Sequence, residues 1–206
     1  MPTGIALRDA REQLFSAAER VLLRAGPGGL TSRAVTTEAG VAKGVLHRHF
    51  ADFDAFLAEL VLDRIARLDG QGAALRDSAG TGTVAGNLAG ALTDVFSPVA
   101  VSIIALITFR DDLRARLRQA RGAKAGVPLA TEAVAMITSY LRAEQELGRI
   151  PAGADIGTLA PMLIGTGHLL FADTESGPPT AAALERVVTS VIPGGMRERP
   201  AQQRAK

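Results

Sequence analysis

Between Thr31 and Phe50 the chain carries Lys43, His47, Arg48 and His49 close together, downstream of a glycine at position 40. At helical spacing, such side chains can donate to phosphate oxygens and to guanine N7 and O6 in the major groove of a duplex. Val45 among them can touch a thymine methyl. Other chemistries lack their residues. Cysteine is absent, which excludes disulfides, thiolate zinc sites and cysteine nucleophiles together. His47 and His49 stand two apart on a helix and so point apart, and a lone His168 amid Leu163, Ile164, Leu169 and Leu170 reads as a core or interface residue rather than a metal ligand. Gly80-x-Gly82 is followed by Gly86, one residue too late for Gly-x-Gly-x-x-Gly, and no strand precedes it. Neither Gly-x-Ser-x-Gly nor His-Glu-x-x-His occurs. No catalytic residue, metal or cofactor is therefore expected, and the chain does not read as an enzyme.

The elements that must position the cations follow from apolar spacing. From Leu7 to Ala25, Ala10, Leu14, Phe15, Ala17, Ala18, Val21 and Leu22 line one face of a helix, with Arg8, Arg11, Arg20 and Arg24 on its other sides. Gly26-Pro27-Gly28-Gly29 ends it. Thr31 or Ser32 can cap a short second helix that points Val35 and Ala39 inward, and Gly40 breaks it. Spacing resumes through Val41, Val45 or Leu46, and Phe50, and Asp52 can cap a fourth helix to about Leu68. Two helices joined by a short glycine-containing turn make a helix-turn-helix, whose second helix enters the major groove. Small Thr36 and Ala39 suit the crossing, with Val35, Val41 and Leu46 as anchors. An ordinary helical hairpin with a solvated cationic face has the same spacing. Four of the seven phenylalanines fall in the first 60 residues, which suits a small three-helix core.

The run Thr31-Ser32-Arg33-Ala34-Val35-Thr36-Thr37-Glu38-Ala39-Gly40-Val41-Ala42-Lys43-Gly44-Val45-Leu46-His47-Arg48-His49-Phe50 resembles the DNA-binding signature of TetR-type transcriptional regulators, and Leu14 to Ala18 resembles the helix before it. The likeness covers about residues 8–68. It implies that Thr31, Ser32 and Arg33 lie near phosphates, and that Ala42, Lys43, Gly44, Val45, His47 and Arg48 face the groove. Ala42 and Gly44 then let the helix approach DNA closely, while His49 packs beside Phe50. Two positions depart from the pattern. His47 stands where tyrosine is usual and Phe53 where a backbone-touching lysine is common, which implies one phosphate contact fewer and a salt slope shallower by about one unit.

Beyond residue 68 the chain resembles the family only in pattern, through its length, its helix count and the segment Leu147-Gly148-Arg149-Ile150-Pro151. Gly70 to Gly82 reads as a loop, followed by helices over Thr83–Phe96, Pro98–Phe109, Asp111–Arg121, Pro128–Leu147, Asp155–Phe171 and Thr180–Ile192. Pro161 predicts a kink, or a helix starting near Ala160. The expected fold is all-α: an N-terminal three-helix helix-turn-helix domain with its linking fourth helix over 8–68, a helical bundle over 69–193, about nine to ten helices in total, and a flexible tail over 194–206. In the bundle Phe96, Ile103, Ile107, Thr108, Phe109, Met136, Tyr140 and His168 are candidates to line a pocket for a small apolar ligand. Gly165, Thr166 and Gly167 permit close helix approach, and the resemblance places a homodimer interface on helices of about 130–147 and 155–173.

Composition constrains the partner. In 206 residues, 47% are hydrophobic and 21% charged, which excludes a disordered chain. The net charge of +2 is too small to announce a polyanion binder, yet it is unevenly spread. Residues 1–50 carry 7 bases and 4 acids, residues 51–109 carry 3 and 7, and residues 110–121 carry 5 and 2. That last basic block reads as a solvated helix face. The longest apolar stretch, Val99 to Phe109, is half the ~20 residues a membrane helix needs, and the N-terminus has charges where a signal peptide has an apolar run. The reading is a cytoplasmic, dimeric, ligand-responsive repressor of a palindromic double-stranded DNA operator. The alternative is an all-α small-molecule-binding protein or enzyme whose N-terminal helices are only a packing module.

Overall fold

The computed structural model describes residues 4–122, 126–172 and 177–192, with side chains from residue 10 onward. The tail expected over 194–206 lies outside the described residues. Every regular element among them is a helix: α1 (Gly4–Gly29), α2 (Ser32–Glu38), α3 (Gly44–His49), α4 (Phe53–Asp77), α5 (Val84–Val95), α6 (Pro98–Thr108), α7 (Asp111–Ala120), α8 (Ala130–Glu146), α9 (Ile156–Ala172) and α10 (Ala181–Val191). The all-α class is as expected. The chain gathers into two compact units, one of Met1–Ala66 with Ser97–Leu129 and one of Arg67–Phe96 with Ala130–Lys206.

The first unit is built on α1. Helical geometry breaks at Gly26, whose φ of 65° suits a residue without Cβ, where the sequence signalled the exit. Leu14, Phe15, Ala17, Ala18, Val21 and Leu22 are buried, against Val35, Leu46, Phe50, Phe56 and Leu57. Phe15, Phe50 and Phe56 form an aromatic knot, with centroids 5.0 Å apart and edge-on for Phe50 and Phe56. Phe15 lies 5.9 Å from Phe50 and 5.7 Å from Phe56. Asp52 caps α4, its Oδ1 accepting from the Ala55 N–H at 2.7 Å. Ile103, Leu106 and Ile107 of α6 and Leu113 and Leu117 of α7 are buried in this unit too, and α6 packs on α1.

In the second unit α5 packs against α10, and α8 against α9. Two expectations need correction here. First, the loop over Gly70–Gly82 is mostly helix, because α4 runs on to Asp77. Each helical glycine costs about 1 kcal/mol against alanine, but Leu68 and Leu75 are buried. A Cβ on Gly72 would meet Met136 Cγ at 3.1 Å, so this glycine serves close packing rather than breakage. Second, although the helix expected over Asp155–Phe171 is present as α9, it starts at Ile156 and passes through Pro161, so of the two outcomes expected at that proline the start near Ala160 is set aside. The carbonyl that loses its helical donor belongs to Gly157, which is exposed and open to water, so the cost is small. Asp155 secures the start, accepting from Thr158 Oγ1 at 2.6 Å. Gly167 is required by contact: a Cβ there would stand 2.5 Å from Phe96 Cε2.

Candidate nucleic-acid interface

The turn between α2 and α3 is fixed by backbone chemistry. Thr31 caps α2, its Oγ1 accepting from the Ala34 N–H at 3.1 Å. At the other end the Gly40 N–H donates to Thr37 O at 3.1 Å and the Val41 N–H to Thr36 O at 3.0 Å. With Gly40 at φ 68°, this is a Schellman closure, and it needs a residue that tolerates the left-handed region. Gln13 reaches from α1 and donates to Ala39 O at 2.9 Å. Leu46 and Phe50 are buried, which anchors α3 by one face. Ala42, Lys43, Gly44, His47 and Arg48 are exposed on the other, Val45 is half-buried at its edge, and His49 lies 6.4 Å from the Phe50 ring. Thr31 and Arg33 are exposed at the start of α2, and Ser32 is half-buried there with an Oγ that is shielded and has no hydrogen-bond partner.

The cations of this unit divide into two sets. Glu38 accepts from Arg20 Nε at 2.7 Å and from an Arg24 guanidinium nitrogen at 2.8 Å, which straps α2 to α1. The hydrogen bonds from Arg20 and then Arg24 hold the Glu38 carboxyl below its ordinary pKa. Arg11 pairs with Glu59 and lies 4.7 Å from the Phe50 ring centroid. Arg33, Lys43 and Arg48 have no acidic partner among the described residues. The unit thus spends Arg11, Arg20 and Arg24 of α1 internally and leaves open Arg33 of α2, Lys43 before α3 and Arg48 on it.

The second basic block is not simply a solvated face. Arg116 meets Asp52 Oδ2 at 2.7 Å, and Arg110 meets Asp54 at 3.6 Å with its guanidinium 6.0 Å from the Phe53 ring. Phe53 itself stacks on Phe56 at 5.6 Å. The hydrogen bond from the Ala55 N–H, and after it that from Arg116, lowers the Asp52 pKa. Sequence reasoning missed these ties because the partners are some sixty residues apart. The signal available was the acidic pair Asp52 and Asp54 facing an unexplained arginine run.

The eight candidate pocket residues fall four to each unit. Ile103 and Ile107 are fully buried in the first, the Thr108 hydroxyl donates to Ile104 O at 2.8 Å, and Phe109 is 83% exposed. Phe96, Met136 and Tyr140 are buried in the second, where His168 is exposed with its ring 6.1 Å from that of Phe96. Tyr140 belongs to a network the sequence did not reveal. Its hydroxyl donates to Glu144 Oε1 at 2.6 Å and accepts from Asn87 Nδ2 at 2.9 Å. Burial, and then Glu144, raises the phenol above its ordinary pKa, so it remains a donor. Arg149, in the segment singled out after Leu147, stands 3.4 Å from Glu144 Oε2 and donates to Gly82 O at 2.7 Å.

Among the described residues no group of His, Asp and Glu could hold a metal ion, and no single helix is long and apolar enough to cross a membrane. Comparison with known proteins adds the following. Residues 14–60 match the model of the bacterial regulatory proteins of the tetR family. No curated relative matches the chain. Among solved structures, a TetR-family member from Streptomyces coelicolor is similar over 90% of this chain and 99% of its own, at 21% identity and a TM-score of 0.63. A TetR-family transcriptional regulator from Agrobacterium tumefaciens covers 90% and 97%, at 13% identity and a TM-score of 0.67. The transcriptional regulator FadR from Bacillus subtilis, in complex with stearoyl-CoA, covers 89% and 98%, at 18% identity and a TM-score of 0.64. With a helix-turn-helix that matches the family model over residues 14–60, followed by a helical remainder of the same fold as these solved regulators, this chain is similar to the tetR family of bacterial regulatory proteins in sequence over its N-terminal part and in fold beyond it.

Proposed function

We propose that this chain is a DNA-binding transcriptional regulator of the tetR type, a ligand-responsive repressor that works in the cytoplasm as a homodimer on a palindromic operator. The observation that carries the reading is the division of cations: among the described residues Arg33, Lys43 and Arg48 lack acidic partners, while Arg11, Arg20 and Arg24 of α1 are consumed. Exposed cations cluster where a recognition helix would present them to phosphates and bases. In this reading Lys43 and Arg48 donate to guanine or phosphate, Val45 touches a thymine methyl, and Ala42 and Gly44 keep the approach close. Thr31, Ser32, Arg33 and His47 lie against the backbone, with Thr31, Arg33 and His47 exposed and Ser32 half-buried beside them. Residues 8–68 form the DNA-binding part, and residues 69–193 carry sensing and dimerisation.

The dimer is assigned to helices of about 130–147 and 155–173. Its support is the outer face of α9, where Met162 is 48% and Leu169 74% exposed beside Pro161 and Gly165. A face of that kind reads as an interface. Two recognition helices about 34–36 Å apart then meet successive major grooves. A ligand that binds better to a different separation releases the operator, by as much as its affinity for the two arrangements differs. The FadR neighbour, bound to stearoyl-CoA, supports a sensing role for the helical remainder. The test is footprinting on the DNA upstream of the chain's own gene, with Leu169→Glu as the dimer variant. A symmetric footprint with half-sites about 10 base pairs apart, lost in the variant, is expected. An asymmetric footprint bound by monomers contradicts the dimeric reading.

A further inference from the structure

A cleft of about 360 Å³ opens in the second unit between the late turns of α4, the outer face of α5 and Met136 of α8. Its walls are two helical stripes at three- and four-residue spacing, Gln71 and Ala74 from α4, and Asn87, Gly90 and Asp94 from α5. Asn87 and Asp94 are seven residues apart, so the slot is about 10 Å long. Its middle is small and apolar, and a Cβ on Gly90 would meet nothing within 4 Å. A space of this size suits a small organic molecule.

The polar groups give the occupant's charge. No lysine, arginine or histidine lines the cleft. Asp94 is exposed and has no ion-pair partner among the described residues. At the other end Asn87 Nδ2 is committed to Tyr140 Oη at 2.9 Å and Thr81 O at 3.0 Å, so its free Oδ1 offers only an acceptor. That amide cannot flip to present a donor, because Thr81 O and the buried Tyr140–Glu144 pair hold it. A carboxylate or phosphate ligand would find no countercharge, only the neutral Gln71 and Asn87 amides and the Ser78 hydroxyl, whereas a cation meets the Asp94 carboxylate.

We propose that this cleft takes an elongated organic cation, an apolar body with an ammonium group seated at Asp94. The proposal rests on the ligand-responsive reading above and names the chemical class of its effector. It is tested by calorimetry on the full-length chain with three probes that share one skeleton: phenylpentylammonium, phenylpentanamide and phenylpentanoate. The ammonium is expected to bind roughly threefold to fivefold more tightly than the amide, the range of a partly solvated ion pair, and the carboxylate more weakly than either. Asp94→Asn should abolish the preference for the ammonium while leaving amide binding intact. Gly90→Leu, whose side chain enters open space, should remove binding of both.

Equal binding of ammonium and carboxylate overturns the proposal, as does a preference that survives Asp94→Asn or binding that survives Gly90→Leu. So does a Gly90→Leu variant that changes only the oligomeric state, since a second copy would then be the occupant. Operator binding measured in the same samples separates the two claims. An ammonium that binds at Asp94 yet leaves the operator bound contradicts ligand-responsive repression and supports the charge class of the cleft. Release of the operator by the carboxylate alone does the reverse.

Discussion

Around α3, Arg33, Lys43 and Arg48 stand exposed without acidic partners, whereas in the second unit Glu144, 0% exposed, is enclosed by its own chain. The Tyr140 hydroxyl donates to it at 2.6 Å, the Gly80 N–H at 3.3 Å, and Arg149 Nε lies 3.4 Å away. The difference follows from solvation. A charge removed from water costs several kcal/mol unless it is paired and hydrogen-bonded, so a buried carboxylate must find its partners within the fold. A cation left in water costs nothing to leave unpaired, and it stays available to an external anion. The first arrangement holds the Ser78–Thr83 connection onto α8; the second faces outward for recognition.

Removing the buried charge should produce the largest effect. Glu144→Ala leaves the Tyr140 hydroxyl without its acceptor and the Arg149 guanidinium without its ion-pair partner, and about 3–5 kcal/mol of stability is expected to be lost in urea denaturation. A loss under about 1 kcal/mol would mean that water replaces the carboxylate and the network is not closed. Arg48→Ala, by contrast, should leave stability unchanged within about 0.5 kcal/mol and weaken operator binding by about 1–3 kcal/mol, read by fluorescence anisotropy. A variant that melts early instead would place Arg48 on the structural side of the comparison. Gly40→Ala sharpens the boundary between the two, since it strains the turn at φ 68° and should cost about 1 kcal/mol in thermal unfolding.

The smallest effect expected is a dependence on acid. The Glu38 carboxyl has its pKa lowered by Arg20 and Arg24, so its contribution is present above the ordinary carboxylate pKa and is lost as pH falls through the lowered one. Glu38→Gln should flatten the fall in melting temperature below about pH 4.5 and change little at pH 7. An unchanged acid limb would show that the strap between α1 and α2 carries no stability.

The helix-turn-helix was legible because its determinants are local. Thr31 caps within three residues, Gly40 closes a turn within four, and Leu46 and Phe50 share one short helix. The second unit was less so because distant partners decide its glycines and charges. Gly72 is helical because Met136, 64 residues on, needs the space, and Glu144 is buried because Gly80, Tyr140 and Arg149 converge on it. Local reading took Gly70 and Gly72 as breakers and passed over Glu144 altogether. It also grouped Ile103, Ile107, Thr108 and Phe109 with Phe96, Met136, Tyr140 and His168, residues that the chain assigns to two separate units.

The division between spent and available cations is tested most directly by the salt dependence of operator binding. On the DNA upstream of the chain's own gene, Lys43→Ala and Arg48→Ala should each lower the slope of log K against log salt by about one unit per bound subunit. Arg24→Ala, whose guanidinium is held by Glu38 at 2.8 Å, should leave the slope unchanged. Slopes reduced equally by all three substitutions, or by Arg24→Ala alone, would contradict the assignment of α3 as the surface that reads DNA.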